Sequence, residues 1–322
     1  MILQSTDQRM LPAEDNNVPP LITLTRGSKL YGGRPVLNEV SLRITSGTAT
    51  ALVGRNGSGK STLLAVLAGL LKPSSGKLEY GNRRLTIGYA PEAFPGQKLT
   101  AEEYLHFMGR MAGLAPAAAE ERISALLDSF KLEAARSRQM AGFSKGMLQK
   151  INLIQSLLAR PQLLLLDEPM SGLDLPAQET LVEQLLGLKG EGSALIFSVH
   201  EPETVEALAD TVHVLQEGQI IRTIHGNEKL RTIPAVHITF KGLSQAEHKE
   251  VLRMPGIGSV QPMPDYAEEE CTLLIAEQAV SDACLKQILA AGGSIISVER
   301  SGGTIDLAKW MDPKATAGRG AE

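Results

Sequence analysis

The sequence predicts an α/β fold, in which a mainly parallel sheet carries a phosphate-binding loop, followed by a small α+β domain. An apolar, β-branched run at 48–53 leads into a glycine-rich loop, and residues 62–68 follow with helical spacing and no helix breaker. The run 163–166 is continuously apolar, which is typical of a parallel strand buried on both faces, and residues 195–199 predict another buried strand. Beyond Pro234 the pattern changes to short strands that alternate with helices.

The loop after the first run has the form Gly-x-x-x-x-Gly-Lys-Ser, and its residue types suit a phosphate. Glycines allow φ > 0 and a close backbone approach, and the following helix contributes the partial positive charge of its N-terminus. Lys60 adds a cation for the β- and γ-phosphates, and Ser61 offers a hydroxyl to a magnesium ion. The flanking strand and helix favour a nucleotide site over a simple glycine-rich turn. The predicted nucleotide-binding residues are Gly54, Arg55, Asn56, Gly57, Ser58, Gly59, Lys60, Ser61 and Thr62.

An acidic pair and a histidine follow the two buried runs. Asp167 and Glu168 come directly after residues 163–166, and His200 comes directly after residues 195–199. Ligands of such sheets bind at the carboxyl ends of the strands, so we expect these side chains to lie beside the phosphate loop. Asp167 is then expected to hold magnesium through a water molecule, and Glu168 to orient or deprotonate the attacking water. A solvated strand end and a structural histidine are the alternatives.

Composition limits the function classes. The 322 residues suggest about two domains, and an apolar content of 43% is enough for real cores. The net charge is 32 − 36 = −4 without a dense basic block, so no nucleic-acid surface is implied. Cys271 and Cys284 form no Cys-x-x-Cys pair, which favours a reducing compartment. No apolar run approaches the ~20 residues that span a bilayer, so a membrane role requires a partner protein.

The N-terminal part predicts strands. Residues 1–20 are expected to be a flexible tail, whereas 21–25 and 40–44 alternate like half-buried strands. Because a phosphate loop lies downstream, we interpret Tyr31 as an exposed aromatic that stacks a nucleobase; a strand-end aromatic is the alternative. Residues 77–84 are typical of a hairpin that turns at Gly81-Asn82.

Residues 97–160 predict a helical subdomain. Thr100 and Glu103 form a capping-box signature, and Pro116 suits the first turn of a second helix. Ser144 stands where the N-cap of a third helix is expected.

These motifs, in this order, resemble the ATP-binding cassette (ABC) superfamily over residues 21–223. The resemblance implies a P-loop NTPase with a RecA-like core sheet, an antiparallel β subdomain and the helical subdomain. It also implies a Mg²⁺-dependent ATPase in which two copies close on two ATP molecules, each copy completing the site of the other. The residues matched to family motifs are Tyr31 (adenine stacking), Gly54 to Thr62 (Walker A), Leu163 to Asp167 (Walker B), Glu168 (catalytic glutamate), Ser171 to Asp174 (D-loop), His200 (switch histidine) and Phe143 to Met147 (signature).

Two positions depart from the commonest family pattern. Glu92 replaces a glutamine, and a carboxylate there would hold magnesium but repel the phosphates. The signature contains Ser144, Lys145 and Gly146 in place of Ser-Gly-Gly, so the hydroxyl and one glycine are kept and a cation is added. Both variants recur in multidrug, antibiotic and lipid exporters whose ATPase is a separate chain.

The resemblance therefore implies a transporter ATPase that binds ATP and Mg²⁺ and lies in the cytoplasm on the inner face of the cell membrane. Its implied partners are a membrane permease and a second copy of itself, with no nucleic acid. The alternative from another class is a soluble cassette protein acting on nucleic acid, ribosomes or cluster assembly. A GTPase-like switch lacks support because no Asn-Lys-x-Asp or Thr-Lys-x-Asp stretch is present.

The predicted domains are 21–231, the ATP-binding domain, and 232–312, a ferredoxin-like accessory domain, with 313–322 as a flexible tail. The second has the order βαββαβ. Its predicted strands are 236–240, 258–261, 270–276 and 294–299, and its predicted helices are 245–252 and 281–291.

Overall fold

The computed structural model describes residues 19–82, 84–226, 235–243, 247, 250–251, 254, 257–262 and 272–301. The chain divides into two compact units between Gly226 and Asn227. The two predicted tails and the predicted domain boundary at 231/232 lie outside the described residues, apart from Pro19 and Pro20.

The first unit combines two sheets with helices. Its strands are β1 (Ile22–Tyr31), β2 (Arg34–Ile44), β3 (Ala49–Val53), β4 (Ser75–Tyr80), β5 (Ile87–Ala90), β6 (Leu163–Leu166), β7 (Ala194–Ser198), β8 (Thr211–Gln216) and β9 (Gln219–His225). Its α-helices are α1 (Lys60–Leu67), α2 (Ala101–Met111), α3 (Pro116–Ser129), α4 (Lys145–Leu157), α5 (Leu175–Gly190) and α6 (Pro202–Leu208).

The larger sheet has the strand order β5-β6-β7-β3-β8-β9. Its first five strands run parallel, and β9 pairs antiparallel with β8 at one edge. Every residue of β3, β6 and β7 is buried, as expected for strands covered on both faces. The predicted α/β class is confirmed, and the carboxyl ends of four neighbouring parallel strands meet at one edge.

The second sheet of this unit is antiparallel and has the order β2-β1-β4. The predicted hairpin over 77–84 is wrong, because β4 pairs with β1 whereas β5 joins the parallel sheet beside β6. Gly81 packs so closely that an added Cβ would lie 2.1 Å from the carbonyl oxygen of Pro20. Asn82 Oδ1 then accepts a hydrogen bond from the Arg84 amide at 2.9 Å, a local turn that redirects the chain to the other sheet.

Helices α2 to α4 form the helical region, and three capping predictions are confirmed. Thr100 and Glu103 make a complete capping box on α2, α3 has a proline at its N-terminal end, and the Ser144 side chain caps α4. Arg136 ties this region together, since its Nη2 lies 2.9 Å from Glu102 Oε1 and 2.6 Å from Glu120 Oε1. Its guanidinium thus pairs with both carboxylates of the Glu102–His106–Glu120 cluster, which is a structural ion-pair network.

The second unit contains a four-stranded antiparallel sheet. Its described strands are β10 (Ala235–Lys241), β11 (Ile257–Pro262), β12 (Thr272–Glu277) and β13 (Ser294–Ser301), in the order β11-β12-β10-β13. The helix α7 (Gln278–Ala290) packs on this sheet and buries Cys284 and Ile288 with Phe240. This order is the one that a ferredoxin-like arrangement requires. The predicted helix 245–252 lies largely outside the described residues, so that assignment stays a prediction.

The buried side chain of His213 on β8 is expected to make the free energy of unfolding depend on pH. Its ring is buried, its Nδ1 lies 2.9 Å from Thr223 Oγ1, and burial, aided by the charge of His225, lowers its pKa from 6.5 to about 4. The unfolded chain therefore takes up this proton at a higher pH than the folded chain, so stability is complete above pH 6.5 and is lost as the pH falls towards 4. At pH 5 the loss relative to pH 7 is about 2 kcal/mol in the free energy of unfolding.

We expect His213→Gln, which keeps a polar side chain but removes the titration, to lose that part of the pH dependence. Urea unfolding of the full chain at pH 7 and pH 5 measures it for both proteins. Equal losses of stability in the two proteins would contradict the burial of a neutral imidazole.

Candidate functional site

The site lies where the parallel strands end. Strand β3 leads into the loop at 54–59, β5 leads to Glu92, β6 leads to Asp167 and Glu168, and β7 leads to His200. Main-chain hydrogen bonds continue the strand pairing to this edge, from Asp167 N to the Ala90 oxygen at 2.9 Å and from Val199 N to the Leu52 oxygen at 3.2 Å. The structure therefore brings together the charged side chains that the sequence predicted to meet.

The glycine-rich loop needs its glycines at two points. Gly57 has φ +82 and no atom within 4 Å of an added Cβ, so its backbone faces open space. Gly59 has φ +106, and an added Cβ would lie 2.8 Å from the carbonyl oxygen of Val36 on β2. Helix α1 begins directly afterwards at Lys60, so the loop turns tightly and delivers a helix N-terminus to the site.

Lys60 is the buried cation of the site. Its side chain is only 5% exposed, and Nζ donates to the Gly54 carbonyl oxygen at 2.8 Å. Burial lowers the pKa of Lys60, and Glu168, Asp167 and Glu92 partly oppose that shift. An ammonium carries three N–H donors. Since Gly54 takes one of them, Lys60 retains donors for an anionic oxygen bound at the loop.

Glu168 is held by His200. Its Oε1 lies 2.9 Å from His200 Nε2, and the same nitrogen lies 3.5 Å from Lys60 Nζ. A proton on Nε2 lets the imidazole donate to the carboxylate. Glu168 also has φ +48, a left-handed conformation that costs a non-glycine residue about 1 kcal/mol or more. Such conformations cluster at functional sites, where the surrounding structure enforces them.

Ser198 is a member of the site that the sequence analysis missed. Its hydroxyl accepts a hydrogen bond from the Glu168 amide at 2.7 Å and donates to Asp167 Oδ1 at 2.7 Å, and the residue is fully buried. One side chain therefore orients both members of the acidic pair. The available signal was a lone hydroxyl in a strand that is otherwise apolar and buried on both faces.

The oxygen atoms at this edge fit a magnesium ion. The Ser61 hydroxyl stands in the first turn of α1, and the carboxylates of Asp167 and Glu92 follow β6 and β5. Hydroxyl and carboxylate oxygens are the ligand types that Mg²⁺ takes alongside phosphate oxygens. Asp167 is 2% exposed and already oriented by Ser198, which leaves its second oxygen for a ligand.

The predicted signature residues contact the segment that follows Glu168. An added Cβ on Gly146 would lie 2.7 Å from the Gly172 carbonyl oxygen, so only glycine fits there. The aliphatic part of Lys145 lies against Gly172, and its Nζ is 3.5 Å from Ser171 Oγ. No hydrogen bond among the described residues joins 144–146 to the loop at 54–62.

Asp174 contacts groups of its own chain. It is the N-cap of α5, where Oδ1 accepts from the Ala177 amide at 3.0 Å, and Oδ2 pairs with Lys150 Nζ at 3.3 Å. These contacts, the backbone one first, lower the pKa of Asp174 and keep it ionised. Its predicted contact with nucleotide stays a prediction.

Tyr31 lies at the end of strand β1, and a separate cavity adjoins the loop. Tyr31 ends β1 with 48% of its surface exposed, as predicted, and Lys29 Nζ lies 5.5 Å from the centre of its ring. The adjoining strand β2 touches the loop, because the Val36 carbonyl oxygen meets Gly59. A cavity of about 230 Å³ is lined by residues 55–58 and 214–217. Adenine stacking by Tyr31 stays a prediction.

Comparison with known proteins identifies the family. A profile of the ABC transporter family matches residues 37–171. The ABC transporter ATP-binding protein NatA of Bacillus subtilis is 32% identical over 216 residues, which cover 62% of this chain and 88% of NatA. The chain belongs to the ABC transporter ATP-binding protein family.

Two other proteins of the ABC family are similar to this chain in sequence or in structure. The Nod factor export ATP-binding protein I of Rhizobium johnstonii is 36% identical over 214 residues, which cover 63% of this chain and 68% of that protein. A solved structure described as an ATP-binding subunit of an ABC transporter superposes with a TM-score of 0.61 at 33% identity, covering 64% of this chain and 90% of its own. The chain is thus an ABC ATPase, which binds and hydrolyses ATP.

Within the part of the chain that the structure describes, every helix is too short or too polar to cross a bilayer.

Proposed function

We propose that this chain is the ATPase subunit of an ABC exporter, that it works with Mg²⁺ as an ATP-dependent homodimer, and that it drives a separate membrane permease. The observation that carries the proposal is the convergence of Lys60, Glu168 and His200 around one point beside the glycine-rich loop. Such a group suits the hydrolysis of a phosphoanhydride bond, because it combines a phosphate-binding cation with an oriented carboxylate.

In this proposal each group has one task. The loop amides and Lys60 bind the β- and γ-phosphates. Ser61, Asp167 and Glu92 would hold a magnesium ion, which would supply positive charge to the phosphate oxygens. Glu168 accepts a hydrogen bond from the attacking water, and His200 keeps its carboxylate in place while Lys60 remains free for the γ-phosphate. Tyr31 stacks on adenine with its exposed ring.

The homodimer explains why the signature residues are separate from the loop. Lys145 and Gly146 contact residues 171–172 of their own chain, and the Ser144 hydroxyl accepts from the Met147 amide of its own helix. The cap of α4 gives this segment a helix N-terminus, which suits an anion. We therefore assign these residues, together with Asp174, to the nucleotide of a second copy.

Size-exclusion chromatography of Glu168→Gln with ATP and magnesium tests the dimer. This variant binds ATP without consuming it, so we expect it to elute as a dimer with ATP and as a monomer without. The wild-type chain with ADP is the control and is expected to stay monomeric. A strictly monomeric variant at saturating ATP would overturn the dimer proposal.

The proposed permease partner would place the ATPase at the inner face of the cell membrane. The export direction is supported by the name of the Rhizobium relative and by the Glu92 and Lys145 variants. The second unit lacks a phosphate loop in its sequence, so we assign it an accessory role, either covering a surface or supporting dimerisation. Co-purification with a membrane protein of about six apolar helices, encoded beside this chain, tests the partner.

A further inference from the structure

A ladder of three side-chain amides runs along helix α4. Gln149, Asn152 and Gln155 are spaced three residues apart, so they share one face of the helix. Asn152 Nδ2 donates to Gln149 Oε1 at 3.3 Å, and Gln155 Nε2 approaches Asn152 Oδ1 at 3.5 Å. Asn152 is fully buried and Gln149 is 5% exposed. We call these three residues the amide ladder.

Each amide also binds a main-chain carbonyl at the edge of the sheet. Gln149 Nε2 donates to the Pro169 oxygen at 3.1 Å and lies 3.5 Å from the Glu168 oxygen. Asn152 Nδ2 donates to the Pro91 oxygen at 2.7 Å, and Gln155 Nε2 donates to the Tyr89 oxygen at 2.7 Å. Two of these carbonyl groups therefore belong to the residues on either side of the acidic positions: Pro91 precedes Glu92, and Pro169 follows Glu168.

The contacts to Pro91 and Pro169 matter because these two carbonyl groups lie beyond the ends of strands β5 and β6. Strand β5 ends at Ala90 and β6 at Leu166, so regular sheet pairing does not fix the residues that follow. A carbonyl group that is withdrawn from water without a donor destabilises the structure, so these segments favour the positions in which the ladder amides donate to Pro91 and Pro169. Buried networks in which every member is satisfied make their surroundings rigid.

We infer that Gln149 and Asn152 are positioning residues, which fix the segments that carry Glu168 and Glu92 from a single helix. Gln155 holds strand β5 at the far end of the ladder. This inference rests on the proposed roles of Glu168 and Glu92 in ATP hydrolysis. Because α4 starts next to Ser144, the same helix connects the signature segment with both acidic residues of its own chain.

Steady-state ATPase kinetics of Asn152→Leu in the full chain test the inference. The substitution keeps the branching at Cγ but removes the donor to Pro91, so we expect kcat to fall about tenfold with an unchanged KM for ATP. Gln149→Leu is expected to give the same pattern. Ser156→Ala is the matched control, because it removes a buried hydrogen bond within α4, to the Leu153 oxygen, without touching either acidic segment. If Asn152→Leu does not fold, Asn152→Asp removes the same donor at nearly the same size.

A double-mutant cycle with Glu92→Ala separates positioning from a general structural role. If Asn152 acts through Glu92, then Asn152→Leu is expected to change kcat by less than about twofold once Glu92 is gone. Fully additive losses, with Glu92→Ala impaired on its own, would overturn the inference and leave the proposed function standing. An unimpaired Glu92→Ala would overturn both the role of Glu92 and the positioning that depends on it.

Discussion

Replacing Glu168 by glutamine is expected to lower ATP turnover at least about a hundredfold, the contribution of a positioned general base. An amide keeps the size and can accept the hydrogen bond from His200, but it cannot take a proton from the attacking water. The Glu168 backbone at φ +48 and its amide contact with Ser198 are unaffected, so the fold is preserved. ATP binding is expected to persist because Lys60 and the loop are intact.

Phosphate release measures the expected loss of turnover in Glu168→Gln, and equilibrium ATP binding measures the expected retention of affinity. Glu203→Gln serves as the control, since it removes an exposed carboxylate from the first turn of α6 and is expected to hydrolyse ATP like wild type. A Glu168→Gln variant that keeps more than about a tenth of the wild-type rate would show that another group activates the water.

Replacing Lys60 by alanine is expected to lower the affinity for ATP at least about a hundredfold. The ammonium is buried, bonded to Gly54 and aimed at the loop, so its charge acts on a phosphate with little screening by water. Thermal unfolding gives a second readout. A ligand at a hundred times its Kd stabilises a protein by about 2.7 kcal/mol, so wild type should gain stability with ATP and the variant should not.

A methionine substitution separates the effect of the Lys60 charge from the effect of its side-chain shape. Lys60→Met keeps the aliphatic stem and is expected to lose ATP affinity as Lys60→Ala does. Lys72→Met removes an exposed lysine and is expected to bind ATP normally. Calorimetric titration that finds unchanged binding in Lys60→Met would refute the assignment of the phosphate loop.

The sequence predicted the parts of the site that depend on local pattern. Two strand ends can be located from local sequence alone. The run at 48–53 ends at the glycines before Lys60, and the four leucines at 163–166 end at the acidic pair. Parallel pairing then brings such ends to one edge, which is why Lys60, Glu168 and His200 meet. The caps of α2 and α4 were predictable for the same reason, since a cap depends on a few neighbouring residues.

The parts that the sequence did not reveal depend on tertiary partners. Residues 77–84 alternate like a hairpin, but β1 supplies the partner strand for β4 and the chain leaves for the other sheet. Gln149, Asn152 and Gln155 have the spacing of an ordinary polar stripe on a helix surface. Only the packing of α4 against the sheet edge buries Gln149 and Asn152 and brings all three amides to main-chain carbonyl groups. The role of Ser198 likewise depends on tertiary structure, because only the folded sheet places its hydroxyl beside Asp167.

The central claim is that this chain binds ATP at the glycine-rich loop and hydrolyses it beside Glu168. Titration of the purified full chain with ATP and magnesium, followed by phosphate release from the same sample, tests it most directly. The predicted result is saturable binding of one ATP per chain and steady release of phosphate. A chain that binds no ATP at millimolar concentration would contradict the claim.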